Sequence, residues 1–235
     1  MHHVVLDRWS RGESYFHRRD ARAKLVSILV VLVAIATAGP PFWPFAVAVL
    51  AMLLGLALAA GLPLGSVLAR AAIVLPFTAV FALISWAAGD AWRAALLVGK
   101  SYLSAVAVLF LAGTTPMPAL LRGLEQLYAP RFLLLVTQFL YRYLFVLSEE
   151  AQHMRIAAAS RGTRRLSQAR RAASGAIAVL FAKSYERAEA IHRAMLARGF
   201  DGRLHTLDPV RFGAADVVFA TALSLFAIAA RGLRL

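Results

Sequence analysis

Residues 25–60 read LVSILVVLVAIATAGPPFWPFAVAVLAMLLGLALAA, 36 positions without one ionisable side chain. At 1.5 Å per helical residue that length makes nearly two crossings of a hydrocarbon layer about 30 Å thick. Gly39-Pro40-Pro41 interrupts the run, removing backbone donors and permitting a sharp turn. The reading is two membrane spans, 25–38 and 42–60, joined by a tight outer turn, with Phe42, Trp43 and Phe45 at the headgroup layer.

Outward from this stretch the same pattern repeats. Gly61-Leu62-Pro63-Leu64-Gly65 returns the chain to the inside, and 71–88 forms a third span preceded by Arg70. Gly89-Asp90 and Trp92-Arg93 mark its outer end, and a fourth span covers about 96–113, with Lys100 able to snorkel. Residues 114–118 close it on the inside, and after Pro209 a final span covers 212–230, with Asp216 near its start. Composition agrees: the 235 residues are 60% apolar and 16% charged, against roughly 25% charged in soluble domains. The expected fold is an all-α integral membrane protein of about five transmembrane helices plus cytosolic or interfacial helices. Three regions are expected: a cytosolic N-terminal segment with four membrane helices (1–118), a cytoplasmic helical region (119–211) and a last transmembrane helix (212–235).

Charge sets the expected orientation. The net charge is +14, with six basic residues among the first 24 and twelve of the 26 between Arg155 and Arg211. Both groups lie beside apolar spans, which is the positive-inside pattern rather than a nucleic-acid surface. The start lacks a short apolar core followed by a small-residue cleavage site, so the N-terminus is expected in the cytoplasm. Residues 131–148 resemble a further span by hydropathy, but a fifth crossing there would carry the twelve positive charges outside. Arg131, Gln138, Arg142 and Glu149, spaced 7, 4 and 7 apart, form one narrow polar stripe. Such a helix suits the inner membrane surface or a site among partner helices; pairing of Arg142 with Gln138 on a buried face is the alternative.

Catalytic patterns do not emerge. Gly99-Lys100-Ser101 imitates the end of a phosphate loop, but Ala94 stands where that loop needs glycine. No paired carboxylates stand at a spacing that suggests acid and base roles, no zinc-protease pattern or nucleophile elbow occurs, and cysteine is absent. Met1-His2-His3 could offer nitrogens to Ni(II) or Cu(II), although a histidine pair is usually just a tail. The expectation is a non-enzyme without cofactor or resident metal. More informative are two helix ends, Ala157-Ala158-Ala159-Ser160-Arg161-Gly162 and Ala194-Met195-Leu196-Ala197-Arg198-Gly199. Left-handed glycine ends a helix and the dipole favours Arg in the last turn. Two copies describe more than caps: small residues allow close helix approach, and an arginine tip can fork onto a carboxylate of another protein.

These residues resemble the transmembrane T component of energy-coupling factor transporters, the CbiQ-like proteins. Asp7-Arg8, Ser14, His17 and Arg19-Asp20-Ala21-Arg22-Ala23-Lys24 look like that family's approach to its first span, with Ala21 where Pro is commoner. Leu120-Leu121-Arg122-Gly123-Leu124-Glu125 and Pro130 look like its first coupling helix. The two arginine ends look like its coupling motifs, with Ser160 replacing the usual Ala. The resemblance implies a scaffold in the cytoplasmic (inner) membrane, partnered by two ATP-binding-cassette ATPases, a small substrate-binding membrane subunit and the lipid bilayer, with no nucleic acid. It implies ATPase coupling through Ser160, Arg161, Gly162, Ala197, Arg198 and Gly199, and helix packing through Ala157, Ala158 and Ala194. The cargo would be a transition-metal ion such as cobalt or nickel, or a vitamin. The competing reading is a self-contained secondary transporter or channel, with Lys100, Gln138 and Arg142 along a path. A membrane-bound nucleic-acid or lipid binder using 155–211 explains the charge but not the paired ends.

Overall fold

The structure is a computed structural model and describes residues 9–10, 12, 14–161, 166–202 and 212–232. Described residues are helical or in turns, with no strand among them. The helices are α1 (Ala21–Ala36), α2 (Phe42–Ala59), α3 (Leu64–Ala71), α4 (Leu75–Ala87), α5 (Ala91–Thr114), α6 (Met117–Gln126), α7 (Arg131–Ser160), α8 (Leu166–Ala197) and α9 (Ala214–Ala230). They fall into two compact units: 1–128 with 209–235, and 129–208.

In the first unit α5 lies against α1, α2, α3 and α4, while α1 also meets α6 and α9. Buried positions follow the helical period: Ile28, Val31 and Ile35 on α1, Phe42, Phe45, Val49, Leu53 and Ala57 on α2, and Leu103, Val106, Ala107 and Phe110 on α5. Outward faces remain apolar as well. Ile73, Phe77, Phe81 and Ile84 are all more than half exposed, the distribution expected where the solvent is lipid.

Phe42–Ala59, Leu64–Ala87, Ala91–Thr114 and Arg131–Ser160 are long and apolar enough to cross a membrane. The apolar α9 is shorter, at 17 residues. The expected span at 25–38 is the 16-residue α1, about 24 Å long. The third span begins earlier than 71: helix starts at Leu64 and passes through a 3-10 turn, Ala72–Val74, before α4. Pro76 explains the turn, since it has no N–H and its ring would clash with the carbonyl four residues back. Gly99-Lys100-Ser101 sits inside α5, so no phosphate-binding loop forms. The Lys100 ammonium donates to the carbonyl of Ala36 at 2.9 Å, and Arg231 donates to that of Thr37 at 2.9 Å. Two cations thus close the negative end of α1.

The opposite end of α1 holds a buried polar hub. Lys24 is almost completely buried, and its ammonium donates to the Thr114 carbonyl (2.9 Å), the Thr115 hydroxyl (3.2 Å) and the His17 carbonyl (3.4 Å). Asp20 caps α1, its carboxylate accepting the Arg22 backbone N–H at 2.9 Å. The Asp20 backbone N–H in turn donates to Asp216 at 3.2 Å, and Asp216 accepts the Gly213 N–H (3.0 Å) and lies 3.6 Å from Arg19. One carboxylate therefore fixes the starts of both α1 and α9. His17 Nε2 donates to the Trp9 carbonyl at 2.9 Å, and Nδ1 shares a hydrogen bond of 2.7 Å with the Ser14 hydroxyl.

Two stability predictions follow from this packing, read as unfolding midpoints in neutral detergent. Lys24→Met keeps the apolar stem but strands its acceptors, and should destabilise by about 1.5–3 kcal/mol, the range for hydrogen bonds to charged groups. An unchanged midpoint would remove the hub from the account of the fold. A Cβ at Gly99 would sit 2.8 Å from the fully buried Phe42 ring, whereas one at Gly55 meets nothing within 4 Å. Gly99→Ala should therefore lose stability through overpacking, about 1–3 kcal/mol against a helix-propensity gain of about 1 kcal/mol. Gly55→Ala should keep that gain.

Candidate functional site

The second unit contains the two arginine-tipped helix ends. The sequence 131–160 forms one continuous 30-residue helix, α7, and α8 adds 32 residues. They pack as an antiparallel pair: Phe139, Tyr143 and Leu147 face Ser184, Ala188, Ile191 and Met195 across a crevice of about 260 Å³. Farther along, Met154, Ala158 and Ala159 face Ala172, Ala173 and Ala176 across a groove of about 420 Å³. Between these zones the Lys183 ammonium meets the Glu150 carboxylate at 2.5 Å.

This pairing follows from residue size and period. The α8-facing positions of α7 recur every three or four residues, large in the first half and mostly small in the second. Ala158 is one of the three alanines expected to pack the coupling helices, and it lines the interhelical groove. Ala157, Ala194 and Ala197 are exposed and line neither crevice.

Each arginine stands just past a helix. Arg161 follows the last residue of α7, its backbone N–H donating to the Ala157 carbonyl at 3.2 Å, while the Ser160 hydroxyl donates back to Ile156 at 3.0 Å. Both side chains are exposed, and Gly162 lies outside the described residues. Arg198 precedes Gly199, whose φ of +75° is the left-handed conformation. The Gly199 N–H donates to Leu196 and the Phe200 N–H to Met195, both at 3.0 Å, the pair of bonds of a Schellman cap. The helix-ending role expected of this glycine is therefore present, and it leaves Arg198 exposed at the tip.

Because α7 and α8 run antiparallel, the two tips lie at opposite ends of the pair. Ala158 faces Ala173, so Arg161 stands level with about residue 170 of α8, and Arg198 lies about 42 Å away along the axis at 1.5 Å per residue. One small partner groove could not take both.

Arg131, Gln138, Arg142 and Glu149 lie on α7 as the sequence spacing requires. At 3.6 residues per turn this stripe sits roughly 150° around the helix from the face that meets α8. Arg131, Arg142 and Glu149 are exposed and Gln138 is half-buried. Lys100 belongs to the first unit and is engaged by the end of α1.

Sequence reasoning missed the hub as a feature. Asp20, Lys24 and Asp216 were visible as ions bordering apolar runs, but their convergence on Thr114, Thr115 and one another spans up to 196 positions. Among the described residues no group of three or more His, Cys, Asp or Glu could hold a metal ion, and the Met1-His2-His3 pair lies outside them.

Comparison with known proteins adds to this geometry. A family model described as cobalt transport protein, CbiQ, matches residues 12–207. The cobalt transport protein CbiQ of Rhodobacter capsulatus is 32% identical over 136 residues, 57% of this chain and 54% of that protein. An uncharacterized protein of Methanocaldococcus jannaschii is 34% identical over 116 residues, 49% of this chain and 43% of that one. The chain thus spans about half the length of the curated relatives it matches. With apolar helices of membrane-crossing length and a family match across most of its sequence, the chain belongs to the CbiQ family of cobalt transport membrane proteins.

Proposed function

We propose that this chain is the membrane scaffold and energy-coupling subunit of an ATP-driven importer for a transition-metal ion, cobalt first among the candidates. Its partners are two ATP-binding-cassette ATPases and a small substrate-binding membrane subunit. It resides in the cytoplasmic membrane with its N-terminus and the α7–α8 pair on the cytoplasmic side. The observation that carries this reading is the placement of Arg161 and Arg198 at opposite, exposed ends of one antiparallel helix pair. Two separated tips suit two separate ATPases.

In this mechanism each guanidinium enters a groove on one ATPase and forks onto a carboxylate there, a planar match that lysine lacks. Gly162 and Gly199 release the chain beyond each contact. ATP binding draws the ATPases together and carries the tips with them. The pair moves across its small-residue zone, where Ala158 meets α8. The stripe Arg131, Gln138, Arg142 and Glu149, turned away from α8, delivers that motion to the substrate-binding subunit. No hydrolysis is assigned to this chain; the ATPases supply it.

Purification from the native membrane in mild detergent should recover one or two such ATPases and a small polytopic protein. Recovery of the chain alone, still moving cobalt in liposomes without ATP, would reverse the reading in favour of a self-contained transporter. Arg161→Ala and Arg198→Ala should each insert normally yet weaken ATPase retention. Truncating one partner of such a pair costs about 2 to 5 kcal/mol, or roughly 30-fold or more in affinity. Normal assembly and uptake in both variants would sink the coupling role. Arg161→Lys should behave more like the alanine variant than like wild type, measured as ATP-dependent cobalt uptake normalised to protein inserted.

A further inference from the structure

Between the start of α1 and the helix α6 lies a cavity of about 270 Å³, lined by Arg18, Arg19, Asp20, Arg122 and Gln126 around Gly123. It belongs to the first unit; Arg122 and Gly123 lie in the stretch that resembles a first coupling helix, and the mechanism above, which runs through Arg161 and Arg198, does not use them. Its shape depends on Gly123: a Cβ there would stand 3.1 Å from both the Ala21 methyl and the Leu25 side chain. Glycine thus lets α6 approach α1 and brings Arg122 to the arginines that precede α1.

The charges around this cavity do not balance. Asp20 is committed to the α1 cap and lies 3.9 Å from Arg22, and Arg19 faces Asp216 at 3.6 Å. Among the described residues no carboxylate pairs with Arg18 or Arg122; Glu125, one turn beyond Arg122, is exposed and makes no ion pair with it. The buried Nε atoms of Arg19 and Arg122 have no hydrogen-bond partner in the protein, and neither has Asp20 Oδ2. Buried polar atoms are almost always partnered, by protein or by a polar guest, and here three unpartnered atoms belong to residues lining one cavity. Two are cationic donors and one is an acceptor, a set that an anion carrying a hydroxyl group would satisfy.

We propose that this cavity binds an anionic phosphate bearing a hydroxyl, with the phosphate oxygens on Arg122 and Arg19 Nε and the hydroxyl donated to Asp20 Oδ2. Arg18, exposed at the rim, adds charge. Two sources present this chemistry: free hydrogen phosphate and the glycerol headgroup of phosphatidylglycerol. The lipid suits the position, because Ala21 at the cavity is one turn before the ion-free run that begins at Leu25, where headgroups meet the hydrocarbon.

The test is titration calorimetry on the full chain in neutral detergent, with inorganic phosphate, dihexanoyl phosphatidylglycerol and dihexanoyl phosphatidylcholine as separate probes. Saturable binding of phosphatidylglycerol without phosphate identifies the lipid source; phosphate without the lipid identifies the free ion; binding of both supports the shared chemistry. Arg122→Gln and the rim variant Arg18→Gln should each weaken binding at least tenfold. Arg93→Gln, whose arginine pairs with Asp90 in another part of the unit, should bind as wild type. The proposal is overturned if neither anionic probe binds or if phosphatidylcholine binds equally well. It is also overturned if an arginine variant with a wild-type unfolding midpoint binds like wild type. Arg18→Gln, on an exposed side chain, keeps the test decisive if Arg122→Gln fails to fold.

Discussion

An ammonium taken out of water must be surrounded by oxygen atoms, and the first unit is built around that requirement at Lys24. The acceptors come from distant places in the chain: the end of α5, the residue after it, and the segment before α1. Asp20 and Asp216 complete the arrangement by capping α1 and α9 and joining their first turns. Helix ends carry unpaired N–H groups that cannot be left bare at a membrane boundary. Here the same few side chains satisfy the N–H groups, balance the lysine and set which helices meet.

Away from the hub, the apolar solvent explains much of what would be wrong in a soluble protein. Large side chains such as Phe77, Ile84 and Trp86 remain exposed, while packing inside relies on close approach, as where Gly99 meets the Phe42 ring. Hydroxyls turn inward on their own helices: Thr37, Thr78 and Thr221 each donate to a carbonyl three or four residues earlier. A polar group is thereby tolerated on an apolar helix without a partner from elsewhere.

The second unit obeys a different constraint. Its two long helices share one narrow interface, large side chains in one half and mostly alanine in the other, with the Glu150–Lys183 pair between them. Local signals made the arginine ends legible in advance: a run of helix formers, then Arg, then Gly. Gly199 takes the left-handed conformation for the reason that only a residue without Cβ enters it freely. The stripe from Arg131 to Glu149 was equally legible, since a helix of fixed pitch places those spacings on one side.

What the sequence determined by itself is what depends on neighbours along the chain: the apolar stretches, the turn at Gly39-Pro40-Pro41, the polar stripe and the arginine-tipped ends. It also carried the resemblance that the family match supports. Tertiary structure decided what depends on separation in space. It extended the third span back to Leu64 with a 3-10 turn at Pro76, and it sent the two arginines to opposite ends of an antiparallel pair. It brought Asp216 to Asp20, and Thr114 and Thr115 to Lys24. Periodicity records which face of a helix is apolar; which other helix covers that face, and which distant oxygen answers a buried charge, is fixed only when the helices pack.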